Sequence, residues 1–224
     1  MLNGKLIVLE GLDGSGKATQ TELLWKALSG IGYPVKKVTF PNYDSPSSAL
    51  VKMYLAGDFG KDAESVNAYA ASSFYAVDRY ASYRMEWASF YENGGIVLAD
   101  RYTTSNAIHQ CAKLPRTQWQ EYLYWLSDFE YNKIGIPKPD LVVYLDVALD
   151  VSQRLLTERY KGDEGKKDIH EKDLHYLEHS RDAAQYCVEQ LGWTRIECSK
   201  DGTMRTREEI HADIRNLVER MFQK

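Results

Sequence analysis

Cysteine is scarce in this chain: Cys111, Cys187 and Cys198 are odd in number, far apart, and form no C-x-x-C pair. That excludes a disulfide framework and a cysteine-built zinc site, and it implies a reducing, intracellular compartment. Apolar residues never run on for the ~18 positions that a membrane-spanning helix needs. The N-terminus enters a strand without a basic, cleavable apolar leader, so the expected location is the cytoplasm, with no membrane partner. Positive charge is not in excess either, with 28 Lys and Arg against 32 Asp and Glu and a net charge of −4. Without a long basic tract a general nucleic-acid binder is excluded, and an anionic ligand should be small and gripped locally. Internal repeats and low-complexity tracts are absent.

What is present is ordinary globular material, 44% hydrophobic and 27% charged over 224 residues, with no composition shift to divide it. A single domain spanning 1–224 is expected. Apolar runs at Leu6–Leu9, Val35–Phe40, Ile96–Ala99, Leu141–Leu145 and Thr194–Cys198 read as strands. Between them fall helical patterns, the longest running from Asp62 to Glu92, with others over Thr117–Asn132 and His170–Leu191. Strands without polar alternation, separated by helices, predict an α/β fold of three layers: a five-stranded parallel sheet flanked by helices. Ligands of such sheets bind beyond the carboxyl ends of the strands, so the residues to inspect are those that follow each strand.

After the first strand comes Gly11-Leu12-Asp13-Gly14-Ser15-Gly16-Lys17, which opens the helical stretch from Thr19. This is the pattern of a phosphate-binding P-loop in its required strand-to-helix setting. Glycine at Gly11, Gly14 and Gly16 lets the backbone turn through positive φ and bring N–H groups onto an anion, while Lys17 bridges the terminal phosphates of a nucleoside triphosphate. The expected nucleotide-binding stretch is therefore Gly11 to Thr19. Ala18 stands where Ser or Thr would offer a hydroxyl to Mg²⁺, and Thr19 points about 100° away around the helix. Asp13 is the better metal holder, weighed evenly against a carboxylate that only caps the turn. Asp100, closing the third strand, is the second candidate ligand, and Arg101 beside it suits a bidentate grip on phosphate. Phe40-Pro41-Asn42-Tyr43 follows the second strand and Asp146 closes the fourth, so both are expected near the same crevice.

The P-loop, Phe40-Pro41-x-Tyr43, Asp78-Arg79 and Asp100-Arg101-Tyr102-x-x-Ser105-Asn106-Ala107 occur in an order and spacing that resembles the thymidylate kinases over nearly the whole chain. The resemblance implies phosphoryl transfer from ATP to dTMP, giving dTDP and ADP, with Mg²⁺, in a homodimer formed through long helices such as 62–92. It implies an acceptor site of Asp13, Phe40, Tyr43, Tyr75, Arg79, Arg101, Asn106, His109 and Gln110. Tyr75 and Arg79, four apart on one helix, would offer a stacking plane and a base-edge donor to one ligand. His109 departs from the family's aromatic at the deoxyribose and loosens the expectation of strict 2′-deoxy selectivity. A basic segment with Arg154 and Arg159 resembles the lid, placed at about 159–170. Because Gly14 leaves the P-loop without an arginine, the catalytic guanidinium is expected from the lid, Arg159 before Arg154, joining Lys17 and Arg101. The alternatives are another deoxynucleotide or deoxynucleoside kinase, or a nucleotide-binding switch without transfer, which Ala18 motivates.

Overall fold

The computed structural model describes residues 4–159 and 174–222. Its centre is a parallel sheet of β1 (Lys5–Glu10), β2 (Val35–Thr39), β3 (Ile96–Asp100), β4 (Leu141–Asp146) and β5 (Thr194–Glu197), in the order β2-β3-β1-β4-β5. The side-chain period of two explains why the inner strands are apolar throughout. Ile7 and Leu9 face one cluster with Leu24, Leu28, Ile210, Ile214 and Val218, whereas Leu6 and Val8 face another with Tyr83, Trp87 and Ala88. The first layer consists of α1 (Lys17–Gly30) and α9 (Arg207–Phe222), with α7 (Leu149–Arg159) beside them through Val151. On the opposite side lie α3 (Ala68–Ser82) and α4 (Ala88–Glu92), and α5 (Thr103–Cys111), α6 (Trp119–Ser127) and α8 (Leu174–Leu191) share a third cluster. A short helix, α2 (Ala49–Ala56), packs on α3.

Two expectations about these elements need correction. The long helix begins at Ala68 rather than Asp62, because Asp62 caps a separate one-turn 3₁₀ helix at Ala63–Ser65 and Val66 is extended at φ −114°. Asn67 then supplies the cap, its side chain accepting the Ala70 N–H at 2.9 Å. That helix is also not uniform, since a π turn at Tyr83–Trp87 joins α3 to α4. The helix expected over 117–132 likewise passes into a π segment, Asp128–Ile134, that ends on Gly135 at φ 79°. After β5, β6 (Ser199–Lys200) and β7 (Thr203–Met204) form a small antiparallel hairpin.

Strand register positions the site. Leu9, Thr39 and Asp100 are aligned across β1, β2 and β3, so Glu10, Phe40 and Arg101 leave the sheet at one level.

Candidate active site

The carboxyl ends of β1, β2 and β3 open into a crevice of about 940 Å³. Its floor is the P-loop, from Asp13 to Thr19. Gly14 and Gly16 hold φ of 80° and 86°, as the loop pattern requires, and Gly16 leads directly into α1. At Gly11 a side chain is excluded by space, since a Cβ there would sit 2.5 Å from Ser15 Oγ and 2.8 Å from the Leu145 carbonyl. Gly11 and Leu12 do not line the crevice, and Leu12 packs into the core. Their carbonyls instead accept from Lys17 Nζ at 2.7 and 2.9 Å. Burial, followed by the neighbouring Arg101 charge, pulls the Lys17 pKa down to about 8.

Arg101 occupies the left-handed region at φ 66°, a conformation that costs about 1 kcal/mol or more in a non-glycine residue and is typical of functional turns. Its N–H still bonds the Leu9 carbonyl at 3.1 Å, so the sheet holds the turn in place. The guanidinium pairs with Asp13, donates to Ser105 Oγ at 3.2 Å, and approaches Glu10 at 3.8 Å. Burial alone would lower its pKa, but Asp13, Glu10 and Asp100 together outweigh that and raise it. Asp100 moves upward because burial penalises its charge, with Lys17 and Arg101 acting against the shift.

Glu10, fully buried, went unnoticed in the sequence, although a carboxylate ending an apolar strand just before a P-loop is a signal. It accepts from the Gly11 N–H at 2.9 Å, Thr104 Oγ at 2.6 Å and Ser105 Oγ at 2.8 Å. One carboxylate thereby fastens the P-loop to the start of α5.

At the other end of the crevice lie Phe40, Tyr43, Tyr75, Arg79, Asn106, His109 and Gln110. Arg79 is buried and forms a two-point pair with Glu130, through Nε at 3.0 Å and through Nη2. Its Nη1 reaches the Tyr102 carbonyl at 3.4 Å. Burial opposes the Arg79 charge, and Glu130 more than restores it, leaving the pKa raised. Asn106 spends its amide hydrogens on the Ser72 carbonyl at 3.2 Å and on Glu130 at 3.3 Å. Gln110 is buried with its amide oxygen lacking a hydrogen-bond partner among the described residues. The Tyr75 ring meets Tyr54 edge-on at 6.4 Å, and Phe40 packs on Tyr102 at 5.7 Å. Glu130 itself gave no cue in the sequence, because it lies in the π segment, off the periodicity of the helix before it, and 51 positions from Arg79.

The chain belongs to the thymidylate kinase family. The thymidylate kinase family model matches residues 9–214. The chain is 32% identical over 170 residues to thymidylate kinase of Mycobacterium tuberculosis, covering 75% of this chain and 78% of the relative. To a probable thymidylate kinase of Thermococcus gammatolerans it is 28% identical over 220 residues, or 96% of each chain. A solved thymidylate kinase structure from Candida albicans shares the fold at a TM-score of 0.68 and 22% identity, over 97% of this chain and 92% of that one. The protein is accordingly a kinase that phosphorylates dTMP at the expense of ATP.

The remaining expected thymidylate kinase site residues are placed less simply. Arg159 ends α7, but its side chain and the lid expected at 159–170 lie outside the described residues. Arg154 is exposed and donates to the Gly202 carbonyl in the β6–β7 turn at 2.6 Å, away from the crevice lining. Asp146 does not line the crevice either, and pairs with Arg195 of β5 at 2.5 Å. Further residues line the crevice: Gln20, Leu155, Arg207 and Ile210, which gave no cue in the sequence, and Met204 and Arg205 from the stretch after the last strand of the sheet. They come from α1, α7, the hairpin and α9, and short strands of two residues carry too little pattern to be read in advance.

The family's nucleotide kinases typically use a divalent metal. Of the three aspartates that line the crevice, Asp13, Asp44 and Asp100, the first and last follow strand ends and offer hard oxygen ligands, and the described residues hold no cluster of three or more His, Cys, Asp or Glu that could form a cage. This donor set suits an ion that takes one or two carboxylates and fills its sphere with phosphate oxygens and water. No helix among the described residues is long and apolar enough to cross a membrane.

Proposed function

We propose that the crevice carries out direct, in-line transfer of the γ-phosphoryl group from ATP to dTMP. A phosphate oxygen of dTMP attacks γ-phosphorus as the bond to the β–γ bridging oxygen breaks, so dTDP and ADP leave. The observation that carries this reading is that a phosphate cradle and a second cation, Arg101, held by Asp13 of that loop and by Ser105, line one crevice. Gly14 to Thr19 hold the donor phosphates through backbone N–H groups and the start of α1, and Lys17 neutralises charge that builds on the transferring group. Arg101, preset by Asp13 and Ser105, grips the acceptor phosphate. Arg79, with Tyr75, Phe40, Asn106 and Gln110, reads the base, Tyr43 and His109 lie beside the sugar and phosphate, and Arg159 adds a guanidinium to the transferring group. Mg²⁺, held by Asp13 and Asp100, would screen the phosphate charges. The chain acts as one domain over 1–224.

The same reading places the enzyme in the cytoplasm, in keeping with three buried free cysteines, and as a homodimer. Support for the dimer comes from Tyr69, Val77 and Tyr80, exposed along one side of α3.

The test is ADP release in a coupled assay with dTMP, thymidine and other monophosphates offered in turn. The expected result is ADP formation that requires dTMP and fails with thymidine, which lacks the acceptor phosphate. Equal turnover with thymidine, or ATP binding without any turnover, would overturn the proposal.

A further inference from the structure

Glu130 does not line the crevice, but its buried carboxylate bonds to two residues that do. It takes Arg79 Nε on Oε2 at 3.0 Å and Arg79 Nη2 on Oε1, and Oε1 also accepts from Asn106 Nδ2 at 3.3 Å. Its own backbone is fixed, since the Glu130 carbonyl accepts the Gly135 N–H at 3.0 Å and the Ile136 N–H at 3.2 Å where the π segment ends. The helices that carry the other two residues are joined as well. The Tyr122 hydroxyl lies 2.7 Å from Ser72 Oγ on α3 and donates to the Asn106 carbonyl on α5 at 3.3 Å.

These bonds fix the polarity of both side chains. Asn106 gives its Nδ2 hydrogens to the Ser72 carbonyl at 3.2 Å and to Glu130, and both partners are oxygens that only accept, so the amide nitrogen must face them. Its Oδ1, an acceptor, is what remains for a ligand. Arg79 spends three N–H groups, two on Glu130 and one on the Tyr102 carbonyl at 3.4 Å, and a guanidinium has nothing but donors to offer with the rest. Two crevice residues that share one carboxylate thus present a donor and an acceptor. A pyrimidine with a carbonyl next to a ring N–H matches that pair. An amino group next to a bare ring nitrogen sets donor against donor and acceptor against acceptor.

We propose that Glu130 is a positioning residue that sets Arg79 as the donor and Asn106 as the acceptor for the base, and so gives the enzyme its preference for thymine over cytosine. This rests on the reading of Arg79 and Asn106 given above. The Ser72 carbonyl also orients the Asn106 amide, but it has no hold on Arg79. Glu130 supplies two of the three Arg79 bonds and uses the second Asn106 hydrogen, so one carboxylate keeps the pair in register.

Glu130→Gln keeps the size of the side chain and puts an NH₂ group where Arg79 and Asn106 both donate. Wild type should prefer dTMP to dCMP by about a hundredfold or more in kcat/KM, and the variant should lose about tenfold of that preference, with the KM for ATP unchanged. A loss of folded enzyme lowers both rates alike, so a purely structural role would leave the ratio where it was. Independently of any variant's folding, hydrogen exchange in the intact ¹⁵N-labelled enzyme should show both Asn106 side-chain amide hydrogens protected, with and without dTMP. A wild-type dTMP-to-dCMP ratio in Glu130→Gln, or fast exchange of either Asn106 hydrogen, would overturn the proposal. If wild type itself turns over dCMP as well as dTMP, the failure belongs to the assignment of Arg79 and Asn106 to the base.

Discussion

Lys17 is a buried cation whose hydrogen bonds are to two loop carbonyls, and its pKa of about 8 lies close to working pH. A protonated ammonium attracts the donor phosphates and a neutral amine does not. The KM for ATP should therefore rise as pH increases through about 8, and a pH series of initial rates checks this. Lys17→Ala should abolish transfer at every pH, and measurable wild-type turnover in that variant would sink the P-loop assignment. Arg79 carries a different consequence, because its charge is balanced by Glu130 in a site with almost no exposure. Arg79→Ala leaves that carboxylate buried and unpaired, so the variant should lose about 3–5 kcal/mol in urea unfolding as well as binding dTMP less tightly. The binding loss should appear as a raised KM for dTMP with little change in that for ATP, measured at a temperature where the variant stays folded. An unfolding midpoint equal to wild type would mean that the pair is not formed as described.

Among the elements, α3 contributes Tyr75 and Arg79 to the crevice and α7 contributes Leu155. Asp78 on α3 accepts the Asn42 N–H at 2.8 Å and the Ser47 hydroxyl at 2.6 Å, so the loop that presents Phe40 and Tyr43 is tied to the helix that presents Tyr75 and Arg79. Two walls of the crevice are thus tied together. At the end of α7, Arg159 leads into the segment expected to close over the phosphates, whereas Arg154, one and a half turns earlier, is occupied by the β6–β7 turn. Arg159→Ala should therefore lower kcat while leaving dTMP affinity nearly unchanged. An arginine finger in P-loop enzymes contributes about 10³ to 10⁵ in rate, so even a fraction of that is measurable. Arg154→Ala should have the smaller effect. Near-normal kcat in Arg159→Ala would shift the charge stabilisation to Lys17 and Arg101.

At the scale of the whole molecule, exposed apolar groups are spread over many elements, Ile31, Leu50, Met53 and Leu191 among them, but α3 carries several together. Val77 is 51% and Tyr80 45% exposed on α3, and Tyr124 is 70% exposed on α6. Scattered apolar residues need no explanation, but a helix face carrying several is a surface for association. If the proposed dimer forms through this face, Val77→Glu should convert it to a monomer in sedimentation velocity, since burying a carboxylate without a partner costs several kcal/mol. A wild-type protein that sediments as a monomer at micromolar concentration would dispose of the dimer itself.

The sequence by itself determined the five strands, their parallel arrangement and the phosphate loop. Those features depend on local rules: apolar runs set strands buried on both faces, and glycine spacing sets a loop that only a backbone without Cβ atoms can follow. In the crevice, Asp13 to Thr19, Phe40, Tyr43, Asp100 and Arg101 were legible because they follow strand ends, whereas Tyr75, Arg79, Asn106, His109 and Gln110 were expected from the resemblance to the thymidylate kinases, and Gln20, Asp44 and Leu55 were not read. What only the tertiary structure decided is which charges meet. Glu10 and Glu130 escaped notice because their partners, Ser105 and Arg79, come from distant parts of the chain, and the π segment moves Glu130 off its helical register. Asp146 ends its strand just as Asp100 does, yet it neutralises Arg195, because β4 lies between β1 and the edge strand β5. Long-range pairing of charges depends on strand order and register, and neither is written in the periodicity of any single segment.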